Sequence, residues 1–232
     1  HTVCEDAMCP NIAECWSRRT ATFMILGDIC TRSCGFCNVK SGRPTELDLD
    51  EPRRTAEAIR ELGIKHAVIT SVNRDELEDG GAAVFAETIR RTRELNPGTT
   101  IEVLTPDFLG RRESLQAVWD AKPDVHAHNL ECVKRLQREV RSAANYDRSR
   151  MVLEETLKAG ILAKTGLQVG HGETWEEIQE VFDDLGRLGL DILTIGQYLQ
   201  PTRDHLPVRR YYTPEEFERL GTEAKAKGIR YV

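Results

Sequence analysis

Long apolar runs are missing from this 232-residue chain. No stretch approaches the roughly 18 apolar residues that a bilayer-spanning helix needs, and the opening His1-Thr2-Val3-Cys4 has neither the basic nor the apolar segment of a secretory signal. The chain therefore reads as soluble and unsecreted. An excess of positive charge is missing too. With 32 Lys and Arg against 38 Asp and Glu, the formal charge is -6. That balance opposes sequence-independent binding to nucleic acid, where basic surface must neutralise phosphate. There is no initiator methionine, and the end at Tyr231-Val232 is abrupt, so both termini are expected to be cuts in a longer chain. Beyond residue 37 cysteine is almost absent, with only Cys132 remaining of seven. A disulfide framework would spread its bridges over the fold, whereas six cysteines within the first 37 residues fit clustered thiolate ligands.

What the body does contain is alternation. Short β-branched or apolar runs are followed by longer amphipathic ones, as in successive strand-helix units of a parallel sheet. Six strands are expected, near residues 22–26, 67–72, 100–104, 125–128, 163–169 and 192–196. One helix is marked by the capping box of Thr174 and Glu177, with Trp175, Ile178, Phe182 and Leu185 on one face. Another starts at Thr213-Pro214-Glu215-Glu216 and is expected to run to Gly228. Six units suit a partial parallel (β/α)6 barrel, class α/β, better than a closed eight-strand barrel, and an open doubly wound sheet is the alternative. In either architecture ligands gather at the carboxyl ends of the strands, and the polar motifs of this chain fall there. The expected division is an N-terminal cysteine-rich segment, residues 1–20, followed by one catalytic domain, residues 21–232.

Cys30-Thr31-Arg32-Ser33-Cys34-Gly35-Phe36-Cys37 sets three thiolates on one short loop after the first strand. Three cysteines so spaced suit three irons of a cubane cluster and leave the fourth iron open to substrate. A structural zinc site is the competing reading, but zinc in that role takes four protein ligands, commonly in C-x2-C pairs. Cys4, Cys9 and Cys15 form a second set, C-x4-C-x5-C, again one ligand short of four. Taken alone, that set could include a disulfide or a buried thiol.

The C-x3-C-x2-C spacing, with Phe36 before the last cysteine, resembles the signature of the radical S-adenosylmethionine superfamily. That resemblance implies a 4Fe-4S cluster whose open iron binds the methionine group, and reductive cleavage to a 5′-deoxyadenosyl radical. The two triads resemble the lipoyl synthase family when taken with Ala21-Thr22-Phe23-Met24, Thr70-Ser71-Val72, Asp79-Gly80-Gly81-Ala82, Leu104-Thr105-Pro106-Asp107-Phe108, His128-Asn129-Leu130-Glu131 and Ile195-Gly196-Gln197-Tyr198-Leu199-Gln200-Pro201. The likeness covers nearly the whole chain. It implies insertion of two sulfur atoms at carbons 6 and 8 of a protein-bound octanoyl-lysine. Cys30, Cys34 and Cys37 would hold the catalytic cluster, and Cys4, Cys9 and Cys15 an auxiliary 4Fe-4S cluster that donates sulfur. Implied partners are octanoylated lipoyl-carrier domains, namely 2-oxoacid dehydrogenase E2 subunits and the glycine cleavage H protein, and an electron donor such as ferredoxin or flavodoxin. The implied location is the cytoplasm, or the mitochondrial matrix in a eukaryote. Cofactor contacts are expected from Phe36, Asp79, Gly80, Gly81, Asn129, Glu131, Gly170, Glu173 and Gln197.

The chain departs from the family pattern in three places. The family's fourth auxiliary ligand, a serine in an Arg-Ser-Ser-Tyr segment, is expected beyond Val232. Gln168 and His171 stand where the family usually has apolar residues, and Cys132 stands where it commonly has threonine. Other readings remain: a biotin-synthase-like sulfur-inserting enzyme, which shares the radical triad but not Cys4, Cys9 and Cys15, and a two-cluster electron carrier, which has little use for an open iron. Asp79-Gly80-Gly81 is by itself an ordinary turn. His126 and His128 are expected to be satisfied core histidines, and Arg203, Arg209 and Arg210 a solvated face or a docking patch for an acidic carrier.

Overall fold

The computed structural model describes Thr2 and residues 11–232, so Cys4 and Cys9 lie outside the described residues. The chain resolves into two compact units, one comprising the residues up to Arg32 with Val39–His126, the other Ser33–Asn38 with Ala127–Val232. In the first unit the order is α1 (Ile12–Ser17), β1 (Thr20–Ile25), β2 (Ile29–Cys30), β3 (Lys40–Ser41), α2 (Glu51–Glu61), β4 (His66–Ser71), α3 (Ala82–Leu95), β5 (Thr100–Leu104) and α4 (Arg112–Asp120). β6 (Val125–Ala127) follows, and the second unit continues with α5 (Gln137–Val140), α6 (Tyr146–Lys158), β7 (Leu162–Val169), α7 (Trp175–Leu188), β8 (Ile192–Gln197) and α8 (Pro214–Ala226). The main sheet runs β1-β4-β5-β6-β7-β8, in chain order, and β2 and β3 make a separate two-residue ladder. β1 pairs parallel to β4 from Thr20↔His66 to Ile25↔Ser71, and β7 pairs parallel to β8 from Lys164↔Ile192 to Val169↔Gln197. This is the mostly parallel six-strand order expected from the alternation of runs.

Local chemistry accounts for the elements. In β1 every second side chain, Ala21, Phe23 and Ile25, is buried, the period of a strand packed on one face. In α7 the buried residues Ile178, Val181, Phe182 and Leu185 recur at helical spacing and share one core with Leu167 and Val169 of β7. Each such side chain contributes about 1.5–3 kcal/mol by leaving water. The Thr174 hydroxyl accepts from Glu177 N while the Glu177 carboxylate accepts from Thr174 N, and Gly189 ends the helix at φ 73°. α8 starts on the same box, made by Thr213 and Glu216 with Pro214 in the first turn, and stops at Ala226, two residues before Gly228. Among the described residues no helix is long and apolar enough to cross a membrane.

Candidate iron-sulfur and cofactor site

In the first unit the strand β1 ends because Leu26 turns into the left-handed region at φ 68°, followed by Gly27 at φ 86°. Glu51, at the start of α2, receives Leu26 N at 2.6 Å and Gly27 N at 3.4 Å, which satisfies the two amides that leave the ladder. The chain then enters β2 and reaches Cys30, a half-buried thiol. Two backbone amides point at its sulfur, Asn73 N at 3.3 Å and Arg32 N at 3.4 Å.

Arg32 is the anchor of this segment. Its guanidinium forks onto Asp75 at 2.7 and 2.8 Å and reaches Asp107 Oδ1 at 2.6 Å. The side chain is only 4% exposed, and Asp107 is fully buried. Burial alone would lower the Arg32 pKa, but hydrogen bonds and charge from Asp75 and Asp107 reverse the sign and hold it above the ordinary arginine value. The neighbouring Thr31 donates its hydroxyl and its amide to Asn73 O, and Asp75 N returns a bond to that hydroxyl. The start of the cysteine loop is thereby tied to the carboxyl ends of β4 and β5.

Asp79, Gly80 and Gly81 lie after β4, and the Asp79 carboxylate caps α3, accepting from Gly81 N and Ala83 N at 2.8 Å each. Gly81 is required twice over: its φ is 90°, and an added Cβ would meet Leu26 Cδ1 at 2.3 Å. His126 is a satisfied core residue. Its Nδ1 accepts from Trp119 Nε1 at 2.9 Å, so its Nε2 carries the hydrogen that faces Thr105 Oγ1 at 2.8 Å.

The second unit holds the rest of the cysteine loop. Gly35 donates to Val140 O and accepts from Leu206 N, and an added Cβ would meet Leu206 Cγ at 2.8 Å. Cys37 N closes a turn on Cys34 O at 3.2 Å, and His205 Nε2 meets Cys37 O at 3.1 Å. Phe36 packs against the core and lies edge-on to His171, with ring centroids 6.5 Å apart.

After β6, Asn129 and Glu131 stand together, with Asn129 Nδ2 donating to Glu131 Oε1 at 3.0 Å. Glu131 sits at φ 64°, an uncommon conformation for a side chain of this kind, and its backbone is held by Gly166 O and Gln168 N. Burial pushes its carboxyl up, opposed by the nearby charge of Arg141 and by hydrogen bonds from Asn129 and Gln168. After β7, Glu173 gathers Gly170 N at 2.7 Å, His171 N at 2.9 Å and the Tyr212 hydroxyl at 2.8 Å. Gln197, at the end of β8, ties Val169 O, Tyr198 O and Arg210 O through its amide nitrogen and Tyr212 N through its oxygen. His128 is paired with Ser149 Oγ at 2.9 Å, as expected of a core histidine. Cys132 is 1% exposed within the core, where burial pushes its thiol up to about 12.

Asp79, Gly80 and Gly81 follow β4 in the first unit, Asn129 and Glu131 follow β6, and Gly170, Glu173 and Gln197 lie at the ends of β7 and β8 in the second, whereas Phe36 sits in the cysteine loop. Gln168 stood out in the sequence only as a departure, and the Arg32 clamp went unnoticed because its partners are 43 and 75 positions away. Among the described residues no three His, Cys, Asp or Glu side chains converge as ligands of one ion. A cubane takes its cysteines at separate corners, and three half-buried thiols on one loop, with amides aimed at Cys30 Sγ, fit that donor set.

Residues 24–185 match the model of the radical SAM superfamily. The lipoyl synthase of Rubrobacter xylanophilus is 61% identical, over all of this chain and 73% of the relative, and that of Symbiobacterium thermophilum is 57% identical over the same shares. The Shouchella clausii lipoyl synthase is 57% identical over all of this chain and 76% of its own length. Among solved structures, Streptococcus suis SuiB bound to S-adenosylmethionine superposes with a TM-score of 0.71 at 13% identity, over 96% of this chain and 53% of that one. Methylornithine synthase (PylB) gives 0.67 at 14% identity, over 94% and 68%. These structures share the fold, α/β with a partial parallel barrel, and a 4Fe-4S cluster with S-adenosylmethionine follows from the superfamily. With the cysteine loop at the end of β1 and this identity along the full chain, the chain belongs to the lipoyl synthase family of the radical SAM superfamily.

Proposed function

We propose that this chain inserts sulfur at carbons 6 and 8 of an octanoyl group amide-linked to a lysine of a lipoyl-carrier domain. The carriers are 2-oxoacid dehydrogenase E2 subunits and the glycine cleavage H protein, reduction comes from ferredoxin or flavodoxin, and the compartment is the cytoplasm. Residues 1–20 form the auxiliary-cluster segment, with Cys4, Cys9 and Cys15 as ligands, and residues 21–232 the catalytic domain.

The observation that carries this reading is the cysteine loop: Cys30 with two amides on its sulfur, and Arg32 locked between two carboxylates. When bound, the cofactors supply what no side chain can, a radical able to take hydrogen from an unactivated C–H bond and a source of sulfur. The protein's residues do the rest. Cys30, Cys34 and Cys37 hold the catalytic cluster, and Arg32 keeps their loop against the strand ends. Asn129 and Glu131 offer acceptors to the nucleoside hydroxyls. Glu173 shapes the Gly170-His171 turn by collecting its amides. Opposite the helices, β8 presents Gly196, where an added Cβ would meet nothing within 4 Å, which leaves room for a slim acyl chain.

The test is anaerobic. The chain, reconstituted with iron and sulfide, is reduced in the presence of S-adenosylmethionine and an octanoyl-lysyl peptide deuterated at C6 and C8. The expected result is 5′-deoxyadenosine carrying deuterium. Unlabelled 5′-deoxyadenosine would mean a different hydrogen donor, and none at all would leave a cluster protein without radical chemistry. Dethiobiotin offered in place of the peptide should transfer no hydrogen, which separates the biotin-synthase-like alternative.

A further inference from the structure

Gln168 and His171, the two neighbouring departures from the family pattern, touch each other: His171 Nε2 lies 3.2 Å from Gln168 Oε1. The strand explains how. In β7 the buried Ala163, Leu167 and Val169 face the helices, so Lys164, Gly166 and Gln168 face the opposite side of the sheet. Asn129 stands over Gly166 on that side, where a Cβ would meet Asn129 Oδ1 at 2.8 Å. The β8 partner of Gln168 is Gly196, which has open space around its Cα. Gln168 Nε2 donates to Glu131 Oε2 at 2.8 Å while Asn129 Nδ2 donates to Glu131 Oε1. One continuous row of bonds thus runs Asn129, Glu131, Gln168, His171.

The row fixes atoms as well as positions. Because the Gln168 nitrogen is committed to a carboxylate, its oxygen faces His171, and His171 must carry its hydrogen on Nε2. The ring is held by stacking on Tyr198 at 4.2 Å between centroids, and it is 5% exposed. Its Nδ1, the bare lone pair of this tautomer, is buried without a partner. A histidine confined this way in its ring plane and tautomer is built to orient what it touches.

Resting on the nucleoside role given to Glu131 above, we propose that Gln168 and His171 are positioning residues. The imidazole orients the amide, the amide fixes the second carboxylate oxygen, and Glu131 presents its remaining lone pairs to the hydroxyl groups of the S-adenosylmethionine nucleoside. This device belongs to the chain's own departures, since apolar side chains at both positions could make neither bond.

The experiment restores those apolar residues, as Gln168→Met, His171→Leu and the double variant, in the cluster-loaded chain. Equilibrium dialysis measures binding of S-adenosylmethionine, of 5′-deoxyadenosine and of 2′,3′,5′-trideoxyadenosine, which lacks the ribose hydroxyls. Gln168→Met should weaken the first two by about tenfold, the worth of one charge-assisted bond, and leave the third unchanged. His171→Leu should weaken them less, and the double variant should be no worse than Gln168→Met. In ¹⁵N spectra of the unloaded chain, the His171 ring, assigned by its loss in His171→Leu, should show an unprotonated Nδ1 that becomes partly protonated in Gln168→Met. Unchanged affinities, an equal loss for the hydroxyl-free nucleoside, additive effects in the double variant or an Nδ1–H tautomer in the unaltered chain would each overturn the proposal. Failure of the unaltered chain to bind S-adenosylmethionine or 5′-deoxyadenosine would overturn the nucleoside reading itself, and this inference with it.

Discussion

Arg32→Leu is expected to destabilise the first unit far more than Asp107→Asn, although both break the same ion pair. The guanidinium makes two bonds to Asp75 and one to Asp107 Oδ1, and the Asp107 carboxylate has no exposure to water. Replacing Arg32 by leucine takes the Arg32 charge away from that buried carboxylate, a loss of about 3–5 kcal/mol for a buried pair broken on one side. Asparagine at 107 behaves differently. The bonds from Arg32 Nη2 at 2.6 Å and from Leu109 N at 3.1 Å both fall on Oδ1, an atom that asparagine keeps. At Oδ1 charge assistance is lost, about 1 kcal/mol, and Arg32 retains its fork on Asp75. The double variant Arg32→Leu/Asp107→Leu should recover much of the loss, because the fully buried Asp107 charge is removed together with its partner, while Asp75 is partly exposed to water. Two compact units make a single unfolding transition an unsafe measure, so hydrogen exchange of β4 and β5 amides in the cluster-free chain is the assay. Equal costs for Arg32→Leu and Asp107→Asn, or a cost under about 1 kcal/mol for Arg32→Leu, would refute the argument from stranded charge.

Other outcomes follow from single residues. Folding holds the Cys132 thiol up to about 12, so between the ordinary thiol range and pH 12 the unfolded chain loses a proton that the folded chain keeps. Stability should therefore fall as pH rises through that window, by about 2 kcal/mol near pH 10.5, and urea titrations of Cys132→Ala should lack this component. Iodoacetamide at pH 8 should leave Cys132 unmodified until guanidinium unfolds the chain, as read by peptide mass mapping. Gly81→Ala should lower the thermal midpoint and cost about 1–3 kcal/mol, and trimming the clash with Leu26→Ala should not restore it, because the positive φ remains. Glu173→Gln should cost about 1–3 kcal/mol in urea unfolding, since an amide cannot offer acceptors to His171 N on one side and to Gly170 N and Tyr212 on the other. Thr213→Ala, which removes one half of a capping box, should cost about 1 kcal/mol and increase exchange in the first turn of α8.

What was legible in the sequence was what neighbours in the chain decide. Residues 100–104 form a strand as expected, and both capping boxes are made, because those signals act within four residues. The first strand was expected over 22–26 and runs Thr20–Ile25 instead. Its end is set by Glu51, which takes the Leu26 amide from 25 positions away. β2 and β3, two residues each, are too short for any periodicity to reveal. Gln168 and His171 were visible as polar residues in an apolar pattern. That they meet each other and Glu131 depends on which face of β7 points away from the helices, a property of the packed core and not of local spacing.

The grouping of Ser33–Asn38 with the later half of the chain sets an order of assembly. Gly35 and Cys37 are met by Leu206 and His205, the latter pair 168 positions apart. A ribosome that has released the cysteine loop still has most of the protein to make before those partners exist. The cysteine loop thus emerges early and waits for the partners that complete it. Those contacts exist only once the segment after β8 has been made, so the loop cannot take its finished form before then.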